Sequence, residues 1–424
     1  MTFKLIALGA LACSAVLAAP LPAAHAQGAD GRYQSVTERD RPEYDPAGVR
    51  AGAFMLFPSA TAGFGHDSDV FATDLLSEDS GFFLYGLNLE GESLWSRHSA
   101  SFDIGLDGSA YTDLEDESFT DLYAFGEVGL EAARDLFFEF DLGVERLNEP
   151  RTANNTTAAN ALLLTEERIQ FDRFTLGAAA TRIFNRLRII ADADFTDLDY
   201  DDAVLVGGNI SDQDVRDRDV TRFGLRGDYA LSPDSSLFLA GAVNSREYDQ
   251  TSPDPTLARS SDGYEIVAGM RMGLTNLIQG EFFLGYQSQD YDGSALSDID
   301  GLDYGADLDW FVSPLTTLTF EASSSIEESV VAGASGFIAQ RAAIGFEREI
   351  RRNVIAEARV FVESDDFEGI AREDDRYGFE SRLDILVNRS VSVFGDIQYA
   401  DQSSNSVGNS FERTVVRIGI TLRR

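Results

Sequence analysis

Ala100-Ser101-Phe102-Asp103-Ile104-Gly105-Leu106-Asp107-Gly108-Ser109-Ala110-Tyr111-Thr112 is the stretch that decides the fold. In an extended chain Phe102, Ile104, Leu106 and Ala110 share one face. Ser101, Asp103, Asp107 and Ser109 share the other. A period of two held over this length specifies a strand with one apolar and one polar side. The pattern recurs roughly every twenty residues to the end of the chain, as strands separated by turns do. Leu136, Phe138, Phe140, Leu142 and Val144 alternate with Glu139, Asp141 and Glu145. Tyr264, Ile266, Ala268, Met270 and Met272 alternate with Glu265 and Arg271. Val416, Ile418, Ile420 and Leu422 alternate with Arg417, Thr421 and Arg423.

The connections fall into two alternating kinds. Ala133-Arg134-Asp135, Ser232-Pro233-Asp234-Ser235, Leu274-Thr275-Asn276, Ser313-Pro314-Leu315 and Val387-Asn388-Arg389-Ser390 are tight and carry turn-forming residues. Residues 66–81, 112–121, 147–168, 197–218, 248–262, 288–301, 327–336, 364–375 and 401–410 are long, polar and acidic. Short turns at one end and long loops at the other describe an all-β, closed antiparallel transmembrane barrel. The expected count is about 18 strands, with 16–18 compatible, and an even number returns both ends to the periplasm. With the long loops outside, Tyr264, Tyr286, Tyr304, Tyr377 and Tyr399 fall near outer strand ends on the apolar face, and Trp310 near an inner end. Such rings suit membrane interfaces. A soluble sandwich, propeller or β-helix also alternates, but does not require the short–long rhythm.

Residues 1–26 read as a secretory signal: Lys4, an apolar run from Leu5 to Leu17, and Ala24-His25-Ala26 as the cleavage site. Cys13, the only cysteine, lies inside that segment, so disulfides and thiolate metal sites are not expected in the exported chain. Residues 27–48 are polar and aperiodic and read as a periplasmic lead-in; residues 49–424 form the barrel. No stretch reaches the roughly 18 apolar residues of a membrane helix. The formal charge of −38 argues against nucleic acid as a partner. The expected surroundings are the bilayer with its lipopolysaccharide in the bacterial outer membrane, reached by export and the barrel-assembly machinery.

Residues able to do covalent chemistry are scarce, and an enzyme is not expected. His66-Asp67-Ser68 has the spacing of a histidine–serine pair on one strand face, without an asparagine to orient it. His98 sits in a tight connection. Two separated histidines do not make a zinc site, and no cofactor is implied. The acidic runs Asp197/Asp199/Asp201/Asp202, Asp298/Asp300/Asp303, Asp365/Asp366 and Asp374/Asp375 are candidates for weak Ca²⁺ binding, though they lack a dedicated loop's spacing.

With the apolar face outward, the lumen can be written down. Asp103, Asp107, Glu127, Glu131, Glu139, Asp141 and Glu145, on the third to fifth strands, form an acidic wall. Arg173, Arg186, Arg188, Arg222 and Arg226, on the sixth to eighth, form a basic one. Such walls either set a field across a water-filled pore or pair internally and plug the barrel. Leu162, Leu163 and Leu164 lie in the third long loop, too apolar for free solvation. They are expected to constrict the lumen, or else to pack on other loops or at a subunit contact.

Residues 41–73 open with Arg41-Pro42-Glu43-Tyr44-Asp45-Pro46 and continue through Gly52, Phe54 and Pro58 to a glycine-ended first strand. This segment resembles the start of the putative beta-barrel porin type 2 family, with Asp69 where an asparagine is usual. The resemblance implies an outer-membrane barrel and, more narrowly, a capsular or exopolysaccharide export channel, the specific form of an expected pore for hydrophilic solutes. The rival reading is a structural or adhesive barrel with a closed lumen, acting through acidic loops. The chain ends Leu422-Arg423-Arg424, without the terminal aromatic common in such barrels.

Overall fold

The computed structural model describes residues 34–152, 165–249, 255–274, 277–329 and 331–424. Eighteen long strands form the wall. They begin with β1 (Phe54–Asp67), β2 (Ser80–Ser93), β3 (Ser99–Tyr111), β4 (Phe119–Ala133), β5 (Leu136–Asn148) and β6 (Gln170–Phe184). Next come β7 (Leu187–Tyr200), β8 (Arg218–Ser232), β9 (Ser235–Tyr248), β10 (Ser261–Leu274), β11 (Ile278–Tyr291) and β12 (Ile299–Ser313). The last are β13 (Thr316–Glu328), β14 (Gly336–Arg351), β15 (Val354–Phe367), β16 (Glu373–Asn388), β17 (Val391–Ser404) and β18 (Phe411–Arg423). Each pairs antiparallel with its neighbours in sequence, and β1 pairs with β18 from Ser59↔Arg423 to Asp67↔Val415. The sheet is therefore a closed barrel, the only way strands satisfy their backbone groups in lipid.

Register fixes which residues share a face. Leu87 lies opposite Leu106, and Leu106 opposite Leu122. These and their counterparts carry the exposed apolar surface, with Ile104 at 50 % and Ile418 at 62 % accessible. An exposed belt of Leu, Ile, Val and Phe around a barrel is the face that meets hydrocarbon. Tyr264 and Tyr286 sit together on that face with ring centroids 6.3 Å apart, and Trp310 lies exposed at the opposite end.

The described hairpin turns are as short as expected, and the expected turn residues Thr275 and Asn276 lie outside the described residues. Arg134-Asp135 joins β4 to β5, and Asn185-Arg186 joins β6 to β7. Asn185 takes φ +55°, a left-handed conformation that asparagine accepts more readily than most residues. Two regions depart from a plain cylinder. Residues 34–45, within the expected lead-in of residues 27–48, are packed inside the turn end. At the loop end the edge of β13 parts from β12 and turns inward, while β14 stays laddered to β15 as far as Phe337↔Phe367.

Candidate functional site: the lumen and its two mouths

The inner face of β2 to β5 is acidic. Glu90, Asp103, Asp107, Asp121, Glu127, Glu131, Glu139 and Asp141 share it by register. Asn88 donates to Asp103 at 2.5 Å and to the Tyr123 hydroxyl at 3.1 Å. The charged neighbours of Glu90 are Asp103 and Glu92, and that of Asp107 is Asp121. Asp107 and Asp141 are exposed towards the lumen. Glu145 differs, because Arg173 on β6 grips it with two hydrogen bonds of 2.5 and 2.8 Å.

The expected basic wall does not stand by itself. Arg188 bonds Asp228 at 3.2 Å. Arg222 reaches Asp192 at 2.8 Å and Glu265 at 2.7 Å. Arg226 bonds Asp228 at 3.0 Å and Glu281 at 2.6 Å, with its guanidinium 3.6 Å above the Phe238 ring. Arg186 lies exposed in the two-residue turn and is not on the wall. The charges are interleaved because β7, β8, β10 and β11 contribute Asp192, Asp194, Asp228, Glu265 and Glu281 to the same face. The sequence reading left these out, although Asp192 and Asp194 alternate with Arg188 on one strand. On the far side Arg359 pairs with Glu321 at 2.9 Å, Arg382 with Asp384 at 2.7 Å and Arg417 with Asp396 at 2.8 Å.

At the turn end the Arg41–Pro46 motif makes a tight turn, with Tyr44 and Asp45 donating backbone N–H to the Arg41 carbonyl. Just before it, Val36 is fully buried against Ile355 and Leu386, and Tyr44 packs beside it. The Val36 N–H donates to Thr317 at 3.2 Å. Thr37 donates its N–H and hydroxyl to Glu347 at 3.1 and 2.9 Å. Arg41 lies 3.6 Å from Glu349, and burial lowers its pKa. Thr317, Glu347, Ile355 and Leu386 are inward positions, so this segment is wedged into the barrel mouth.

The loop end is covered by the first outer loop, residues 68–79. Ala72, at φ +48°, packs on Ala343, Phe361, Ala400 and Phe411, inner residues of β14, β15, β17 and β18. Thr73 donates to the Gly408 carbonyl at 2.8 Å. Burial raises the Asp69 carboxyl to about 6, against the opposing pull of Arg413. The stems of the third loop join in. Arg151 and Arg168 both pair with buried Glu117, and Arg168 stacks 4.3 Å over Phe119. Arg216 pairs with Glu149 at 2.5 Å over the Tyr200 ring. Leu162, Leu163 and Leu164 lie outside the described residues. The first loop is an inward loop among the described residues.

The remaining sequence candidates separate. His66 points outward and lies 3.7 Å from exposed Asp79, away from the lumen. His98 accepts the Glu131 N–H at the turn end, 3.3 Å away. Among the acidic runs, Asp374 is taken by Arg372 at 2.6 Å and Asp303 faces the lumen. Asp202, Asp212 and Asp214 bring carboxylate oxygens within 4.8 Å of one another on an exposed rim.

A closed antiparallel barrel with an apolar outer belt and a charged interior defines a porin-like outer-membrane β-barrel. The model of the family described as putative beta-barrel porin 2 matches residues 41–424, and the chain belongs to that family. No curated protein matches the sequence. Among solved structures the chain is similar to the siderophore receptor PiuA from Acinetobacter baumannii, at 10% identity. That match covers 89% of this chain and 82% of that one, with a TM-score of 0.47. OpdL from Pseudomonas aeruginosa matches at 11% identity over 87% of this chain and 98% of its own, with a TM-score of 0.43. A mutant of the ferric enterobactin receptor PfeA from Pseudomonas aeruginosa matches at 8% identity, covering 87% and 80%, also at 0.43.

Proposed function

We propose that the barrel is a gated pore for hydrophilic solutes that favours cations. The acidic face of β2 to β5 carries this reading. Glu90 has Asp103 and Glu92 as its charged neighbours, and Asp107 has Asp121. Carboxylates crowded together in a dry interior would be very unfavourable. A water-filled lumen hydrates them, and the field they leave there attracts positive solutes and repels negative ones. The interleaved arginines on β6 to β8 do not cancel that field, because their own carboxylate partners neutralise them first. The expected measurement is a reversal potential in planar bilayers under a salt gradient. Cation preference supports the reading, and anion preference overturns it.

A second reading is a closed structural barrel acting through its acidic loops. The wedge at residues 34–45 and the inward first loop favour it. The same bilayer recording separates the two, since a closed barrel conducts no ions. Export of an acidic polysaccharide fits poorly with an acidic lumen. Export of a neutral one is compatible with it and would show as glycan-dependent blockade of the current.

A further inference from the structure

Among the described residues the wall has a discontinuity between β12 and β13. On β12, Ile299 to Tyr304 ladder to β11, but the ladder to β13 runs only from Gly305↔Ser323 down to Ser313↔Thr316. Beyond Ser323, β13 pairs with β14 alone, through Ser324↔Gln340, Ile326↔Ile338 and Glu328↔Gly336. The outer end of β13 therefore parts from β12, while β14 keeps its ladder to β15 as far as Phe337↔Phe367, so the hairpin can move only as the edge of that sheet bends.

Side-chain alternation shows where they go. Leu318, Phe320, Ile344 and Phe346 lie on the lipid face, with Ile344 51 % exposed. Counting on by twos, Ile326 and Ile338 belong to that same face. Yet Ile326 is buried, and both pack against Tyr291 and Ile299, which point into the barrel. A lipid-side face can meet a lumen-side face only if the hairpin has passed inside the wall. Gly336 permits the approach: a Cβ there would come within 2.8 Å of the Tyr291 hydroxyl and 3.0 Å of Ile299.

Glu328 is the charged anchor of the docked hairpin, alongside Arg259, which donates to the Ser329 and Ala334 carbonyls. Glu328 pairs with Arg246 of β9 and accepts the Tyr248 hydroxyl at 2.8 Å and the Tyr291 hydroxyl at 3.3 Å. Arg246 also donates to the Ile326 carbonyl at 3.2 Å. Beyond the strand ends, the Ser297 N–H donates to Ser335 at 2.8 Å. The free edge of β12 is covered from within: its Leu302 carbonyl accepts Gln287 at 3.1 Å and Ser324 at 3.0 Å. These are side-chain substitutes for the missing ladder, and a ladder could replace them.

We infer that the outer β13–β14 hairpin is a two-position gate, docked inward by Glu328 and able to swing out and zip onto β12. Extending the register beyond Gly305↔Ser323 sets Ser324 beside Tyr304 and Ile326 beside Leu302. Leu302 already faces lipid, so Ile326 would join the hydrocarbon belt that its strand pattern matches. The sequence thus suits both positions, as a bistable element requires. Swinging out would clear the lumen beside β9 and β11. The gating role rests on the pore reading above; the movement does not.

Cysteine trapping tests the two separately, since Cys13 is the only native cysteine. Leu302→Cys/Ile326→Cys places both thiols at directly opposed positions only when the hairpin is out, where a disulfide fits. In the Glu328→Ala background the oxidised yield should rise at least about fivefold over the Glu328 protein, as the docked state loses its latch. Glu328→Gln, which keeps the shape, should give a smaller rise. Heat-modifiable gel migration shows that each variant is a folded barrel. Equal and negligible crosslinking in all three folded backgrounds overturns the movement. Crosslinking that raises single-channel conductance, reversed by dithiothreitol, supports the gate. Crosslinking without any current overturns the pore reading and leaves the movement standing.

Discussion

Arg413 donates to both carboxylate oxygens of Asp67, at 3.0 and 2.5 Å, where the last strand meets the first. Asp67 is completely buried and also accepts the Tyr111 hydroxyl at 3.2 Å and the Asp69 N–H at 3.2 Å. One carboxylate therefore closes the barrel and anchors the first loop. Removing one partner of such a pair strands the other without a counter-charge. Asp67→Ala should cost about 3–5 kcal/mol of folding stability. Urea unfolding in vesicles, followed by tryptophan fluorescence, measures it. A loss below about 1 kcal/mol, the range of exposed pairs, would mean that the seam does not depend on this pair.

The strand register gives a sharper test. Leu106 faces lipid and Asp107, its neighbour, faces the lumen. Leu106→Arg should cost about 2–4 kcal/mol if it lies near the bilayer midplane. Asp107→Asn should be nearly neutral for folding and should weaken cation preference. The reverse order of damage in heat-modifiable gels would place the register one residue off.

The alternation was legible because every second barrel residue meets a uniform solvent, so Phe102, Ile104 and Leu106 report their face directly. The loop rhythm and tyrosine placement followed from the same asymmetry. The ion pairs were not legible in full. Arg222 and Glu265 are far apart in sequence and meet across β9 only through the register of three strands. Asp228 was within reach, since it alternates with Arg226 on one strand. The wedge at residues 34–45 carries no periodicity, because Val36 and Tyr44 reach one cluster with Ile355 and Leu386 through the turn at Arg41 and form no repeating face along the chain. The inward β13–β14 hairpin was invisible because its pattern is that of an ordinary wall strand.

The wedge should restrict the turn-end mouth. Val36 fills an apolar gap between Ile355 and Leu386, and Thr37 and Arg41 bind Glu347 and Glu349. Deleting residues 34–45 should leave a folded barrel, since no wall strand is lost, and should raise single-channel conductance. Val36→Asp should act in the same direction by placing a charge in the apolar gap. An unchanged conductance in a folded deletion protein would show that the wedge lies beside the ion path and not across it.

The first loop should respond to pH through Asp69, whose carboxyl is raised to about 6 by burial. The docked loop binds this proton more tightly than a solvated loop, where an aspartate titrates near 3.9. Docking is thus strongest below the ordinary value. It weakens as pH rises through about 6, because ionised Asp69 is held out of water beside Asp67. A shift of this size corresponds to at most about 3 kcal/mol between the two pH limits. Hydrogen exchange in residues 68–79, corrected for the intrinsic rate, should show more protection at pH 5 than at pH 8. Asp69→Asn removes the titration and should flatten the difference while keeping the loop docked against Ala343 and Phe361. A pH effect that survives in Asp69→Asn would assign the response to another group, and equal protection of the native loop at both pH values would show that its docking does not sense this carboxyl.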